Sequence, residues 1–120
     1  LSEAGVDIFH CSQRRFWEPE FEGSDLNLAG WTRKITGKPA ITVGSVGLNA
    51  DFIPVPGEVT FREAEPASLD ELERRLSDNE FDLVAVGRAL ISNPSWVDMV
   101  RDDRPDDIKP FRKEHLGQLV

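Results

Sequence analysis

Phe81-Asp82-Leu83-Val84-Ala85-Val86-Gly87-Arg88-Ala89-Leu90 is the stretch that decides the fold. It opens as a short apolar run and is stopped by a glycine. Runs like this, with turn signals close by, are how strands covered on both faces of a parallel sheet look. Working outward, a second such run is Ala40-Ile41-Thr42-Val43, entered from Lys38-Pro39 and ended by Gly44. A third is Val6-Asp7-Ile8-Phe9-His10-Cys11. Helical signals lie between and after them. Leu26 to Ile35 carries Leu28, Trp31 and Ile35 at helical spacing, with Gly37 as the stop. Ser68-Leu69-Asp70-Glu71 reads as a capping box ahead of an apolar stripe of Leu69, Leu72 and Leu76. Asn93-Pro94 reads as an N-cap and first helical position, opening a helix to about Arg101 that buries Trp96, Val97 and Val100. Phe111 to Leu119 reads as a last short helix. The alternation predicts an α/β fold with parallel strands and right-handed crossovers.

Composition narrows the function classes. The 120 residues hold 14 Lys+Arg against 22 Asp+Glu, a net charge of −8. Non-specific binding to nucleic acid or to an anionic membrane relies on cationic surface, so neither partner is expected. One local anion site is still compatible with that balance. No apolar run approaches the ~20 residues of a membrane span. Cys11 is the only cysteine, which leaves no intrachain disulfide and suits a reducing compartment, the cytoplasm. No metal-ligand spacing stands out, and Asp102-Asp103 with Asp106-Asp107 reads as solvated surface. The chain starts at Leu1 with a strand-like run close behind, as a piece of a longer protein would.

The carboxyl ends of the second and third strands are where chemistry can sit. Gly44-Ser45-Val46-Gly47 follows one directly, and Gly87-Arg88 follows the other. Glycine at such a junction lets backbone N–H groups approach a ligand, and an arginine adds a planar fork suited to phosphate oxygens. Two junctions of this type make a phosphate cradle, which in (β/α)8 barrels falls after the seventh and eighth strands. The plainer alternative is a pair of tight turns, with Arg88 paired to one of the chain's many carboxylates. Two loops exceed simple connectors: Ser12 to Asp25, aromatic and charged, and Asn49 to Pro66, with Pro54, Pro56 and Pro66.

Ala40 to Leu48, followed by Phe81 to Pro94, resembles the C-terminal part of the Old Yellow Enzyme family of NAD(P)H:flavin oxidoreductases. Gly5-Val6-Asp7-Ile8-Phe9-His10 resembles that family's sixth strand. The resemblance implies that residues 1–120 are about strands 6–8 of an FMN-binding TIM (β/α)8 barrel, with the N-terminal remainder absent. It implies non-covalent FMN, NADH or NADPH as reductant, and hydride transfer to an activated alkene such as an enone. Backbone amides at Gly44, Ser45, Gly87 and Arg88, together with the Arg88 side chain, match the family's FMN phosphate site. Phe16 and Trp17 lie on a loop matching one that overhangs the active site, where they line the substrate or flavin rim or pack beneath the loop. Arg14 and Arg15 meet a nicotinamide phosphate or pair with Glu18, Glu20 or Glu22. No catalytic residue of the family falls in this segment: the carbonyl-anchoring pair and the proton-donating tyrosine lie N-terminal to it, so His10 is not expected to act in catalysis. Cys11 is read as a small buried residue.

Three βα units cannot close an eight-stranded barrel, which needs about 250 residues. The missing N-terminal part of the same barrel is the expected partner, and open sheet edges make self-association the alternative. Two other readings stay open: a non-catalytic assembly or phosphate-binding module, and a different phosphate-binding barrel enzyme.

Overall fold

The computed structural model describes residues 1–51 and 63–118. They divide into two compact units, Leu1–Gly44 with Leu69–Ala85, and Ser45–Ser68 with Val86–Val120.

The first unit is a parallel sheet with helices. Strands β1 (Phe9–Ser12), β2 (Ala40–Val43) and β3 (Leu83–Val84) lie in the order β1-β2-β3. Phe9 pairs with Ala40 and Ser12 with Val43, while Ile41 pairs with Leu83 and Thr42 with Val84. β2 keeps the limits expected from its β-branched run, and the expected parallel pairing is present. β1 starts later than expected because the Val6 carbonyl accepts from Lys38 Nζ, which also reaches the Ser2 carbonyl at 3.1 Å. That carbonyl is taken by a side chain rather than by the ladder. β3 is shorter than its apolar run, yet the Asp82 and Ala85 amides still bond the Ala40 and Thr42 carbonyls at 3.0 and 2.8 Å.

Between β1 and β2 runs α1 (Leu28–Thr36). The Asn27 side chain caps it by accepting from the Gly30 amide, and Gly37 ends it at φ 68°. The stop is as expected, but the buried side is not. Ala29 and Gly30 face inward, whereas Ile35 is 75% exposed. Small residues let the helix approach the sheet closely, which turns the bulky stripe aside. Between β2 and β3 lies α2 (Asp70–Ser77). Its N-cap is Leu69, which makes no side-chain cap bond, so the expected capping box is displaced. The Glu71 carboxylate instead binds Arg74 and Arg75 at 2.7 and 2.8 Å. Leu72 is buried as expected, but Leu76 is exposed.

The two faces of the sheet differ. Side chains alternate, so Cys11 and Thr42 share one face, and Cys11 Sγ there meets Thr32 Oγ1 of α1 at 3.4 Å. Cys11 is buried, as expected of a small core residue. His10, Ser12, Ile41, Val43 and Leu83 share the other face; His10 and Ser12 are exposed there and Leu83 is 53% exposed.

The second unit holds α3 (Arg88–Ser92), α4 (Trp96–Arg101) and 3-10 turns at Pro105–Asp107 and Lys113–Gly117. Its core is Val46, Leu48, Ala64, Ala89, Trp96 and Phe111. Antiparallel bridges Leu48↔Pro66 and Ala64↔Phe111 tie it together, the first closing the base of the Asn49 to Pro66 stretch. Most of that stretch, 52–62, lies outside the described residues, as does Leu119 of the last expected helix. That helix is the 3-10 turn at Lys113–Gly117.

Asn93 does not cap α4, whose N-cap is Ser95. It is buried at the end of α3, and its amide nitrogen donates to the carbonyls of Ala89 at 3.0 Å and Lys109 at 2.9 Å. Its oxygen accepts from the Lys109 amide at 2.7 Å. A side chain stitching three backbone groups at an element boundary is the alternative use of Asn that competes with capping. Trp96 is buried as expected, while Val97 is exposed. Among the described residues, no helix is long and apolar enough to cross a membrane.

Candidate functional site

Gly44 ends the first unit. Its φ is +143°, and a β-carbon there would stand 2.4 Å from the Gln13 carbonyl oxygen. Glycine is therefore required by the loop after β1, which folds back over this strand end. The Gly44 carbonyl also accepts from the Phe16 amide at 3.0 Å.

Ser45, Gly87 and Arg88 belong to the second unit. Ser45 has φ 53°, the left-handed region, which bends the chain into a short turn. Its hydroxyl donates to the Ala50 carbonyl at 3.2 Å. Arg88 opens α3, and its Nη2 donates both to Ser45 Oγ at 3.2 Å and to the Ala50 carbonyl at 2.6 Å. The two sequence-predicted junctions are thus joined by a side chain. The guanidinium lies 5.5 Å from the Phe111 ring centroid, a stacking that suits its planar, weakly hydrated group. Burial pushes its pKa below the ordinary arginine value, and the nearby Asp51 charge acts in the opposite direction. Asp51 itself is 2% exposed. The arginine thus has a carboxylate in its field and also bonds the serine of this turn. Gly87 sits at the start of α3, its carbonyl accepting from the Leu90 amide at 2.9 Å. A β-carbon on Gly87 would meet nothing within 4 Å, so the space beside it is open.

In the first unit, Phe16 is 4% exposed and packs edge-on against Trp17, with ring centroids 5.3 Å apart. Trp17 is half-buried. Arg15 pairs with Glu18 at 2.6 Å. His10 is exposed on β1.

Three features of the loop were not expected. The carbonyls of residues 16, 17 and 18 are each taken by a different side chain. Asn27 Nδ2 donates to Phe16 at 2.9 Å, Arg75 Nη2 to Trp17 at 3.2 Å, and Gln13 Nε2 to Glu18 at 2.9 Å. Arg75 also donates to the Asp25 carbonyl at 2.7 Å and pairs with Glu71 and Glu80 at 2.8 and 3.4 Å. It is only 4% exposed. The available signal was its spacing: Arg75 follows Leu72 by three residues and so shares the buried face of α2. Among the described residues, no group of His, Cys, Asp and Glu could hold a metal ion. Arg101 and Arg104 pair with the exposed Asp102 and Asp107 at 3.1 and 3.4 Å.

No known family model matches the chain. Over 125 aligned residues, covering 98% of the chain, it is 32% identical to a protein named NADH oxidase from Thermoanaerobacter brockii. The chain spans 16% of that relative's length.

Proposed function

We propose that the chain is the C-terminal part of an FMN-dependent NAD(P)H oxidoreductase of the Old Yellow Enzyme type, and that it supplies the phosphate half of the flavin site. The observation that carries the oxidoreductase reading is the similarity to an NADH oxidase along nearly the whole chain. The parallel sheet is consistent with part of a barrel. In this reading residues 1–120 contribute about the last three βα units of a (β/α)8 barrel. The missing N-terminal part is the partner that covers the face of half-buried Ile41 and Val43 and exposed Leu83, since parallel sheets are normally covered on both sides.

The donor set fits a phosphate. A guanidinium and a hydroxyl meet at Ser45, and the space beside Gly87 is open. Ser45, Gly87 and Arg88 would hold the group through backbone amides, and the Arg88 side chain, which also bonds the Ser45–Ala50 turn, would add to the same site. Charge-assisted donors in a partly dry site bind phosphate more strongly than neutral ones. FMN, when bound, supplies the two-electron carrier between a reduced nicotinamide and an activated alkene. This chain's own part is to bind and orient it. Phe16 and Trp17 stand on the loop that would form the rim. A cytoplasmic setting belongs to the same reading.

The test is flavin binding by the full-length protein carrying this chain, with FMN and riboflavin compared. Arg88→Lys is expected to weaken FMN by about tenfold or more, the scale of one charge-assisted bond, and to leave riboflavin unchanged. Riboflavin lacks the phosphate, so equal losses for both ligands would sink the assignment. A purified protein that carries and takes up no flavin would sink the wider reading.

A further inference from the structure

We propose that Arg75 is a positioning residue that fixes the loop after β1 as a rigid rim, with Trp17 the side chain it places. The inference rests on the reading above only for what the rim faces; the clamp itself stands on the first unit's geometry. Loops that long are normally mobile unless they are built. This one is built. It crosses the carboxyl ends of β1 and β2, where the Phe16 amide bonds the Gly44 carbonyl at 3.0 Å. Ligands of parallel α/β folds bind outside the carboxyl ends of strands.

Arg75 does what its neighbours in the clamp cannot. Asn27 and Gln13 belong to the loop's own ends, so they move with it. Arg75 comes from α2, fifty residues further along the chain from Asp25. Its Nη2 holds the Trp17 carbonyl in the middle of the loop and its Nη1 holds the Asp25 carbonyl at the end. Glu71 on the same helix accepts from Nε, and Glu80, just ahead of β3, accepts from Nη1, which fixes the guanidinium further. A planar fork with five N–H groups can serve two carbonyls and two carboxylates at once; an ammonium cannot do so in this fixed geometry. Trp17 is half-buried and packs edge-on with Phe16, so the clamp fixes where an aromatic ring stands rather than leaving it to swing. The class of ligand group that such a ring takes is flat and largely apolar, as in the unsaturated end of an enone.

The experiment uses the full-length protein and two readouts. Hydrogen exchange is followed by segment in Arg75→Met, Arg75→Lys and Trp17→Ala. Arg75→Met is expected to speed exchange across 13–20 by about tenfold, the scale set by losing a charged hydrogen bond, and to leave 88–118 unchanged. Arg75→Lys is expected to recover part of the protection. Trp17→Ala, which keeps the carbonyl, is expected to leave exchange as it was. In turnover, Arg75→Met and Trp17→Ala are both expected to raise KM for the alkene severalfold with little change in kcat. Unchanged exchange over 13–20, an even rise over the whole protein, or faster loop exchange with KM unmoved would each overturn the proposal. The exchange readout needs no turnover, so it separates failure of the clamp from failure of the flavin reading.

Discussion

Single residues carry sharp requirements in this chain. Gly44→Ala would place a β-carbon 2.4 Å from the Gln13 carbonyl oxygen at φ +143°. Both the clash and the backbone conformation act against it, and the expected loss is about 3 kcal/mol of stability, measured by urea unfolding. By contrast, Gly87→Ala meets no neighbour within 4 Å and has a negative φ, so it is expected to cost far less in the same assay. The need for glycine after β2 was legible in the sequence, but its reason was not. A glycine at a strand end suits a ligand's approach and a carbonyl's approach equally, and only the path of the 13–16 backbone tells them apart. Arg75 was not legible as a clamp because a charged residue on a helix is solvated by default. Its position three residues after Leu72 was the single hint.

At the scale of elements, α2 is held by charges whose effects oppose one another. Hydrogen bonds from Arg74 and Arg75 lower the Glu71 pKa from 4.5 to about 2. Its contribution to stability is therefore full above pH 4.5 and is lost as pH falls toward about 2. Glu71 is 43% exposed, so solvent screening keeps the amplitude modest. Burial raises the Glu80 pKa above 4.5, so keeping that carboxylate charged costs stability as pH rises through the raised value. Urea midpoints taken from about pH 2 to about pH 7 are expected to show a flatter acid limb in Glu71→Gln and a steeper one in Glu80→Gln. Matching slopes in the two variants would contradict this account. The limits of β2 and the glycine stop of α1 were legible because local signals and tertiary packing agree there. β1, α2 and α4 start elsewhere than their local signals say. Lys38 takes the Val6 carbonyl, Glu71 goes to arginines, and Asn93 goes to the Lys109 backbone. For Val6 and Asn93 a partner remote in sequence won over a local one, and for Glu71 the arginines one turn along the same helix won over the cap.

At the scale of the whole molecule, the parallel pairing of the strands was legible from the alternation of apolar runs and helical signals. The division into two compact units was not, because the pattern of elements does not say which packs with which. On one face of the first unit's sheet Leu83 is exposed and Ile41 and Val43 are half-buried, near an exposed Ile8. The 120-residue chain alone is expected to self-associate through that face. Sedimentation of Leu83→Glu is expected to shift the chain toward monomer; a monomeric parent would refute the idea. The loop after β1 has a further consequence. It is tied through carbonyls, which every amino acid carries alike. The course of the chain at residues 17 and 18 is thus inherited from Gln13, Asn27 and Arg75, while the groups displayed there are open to replacement. Natural variation can change what this edge of the protein greets without having to re-fold it.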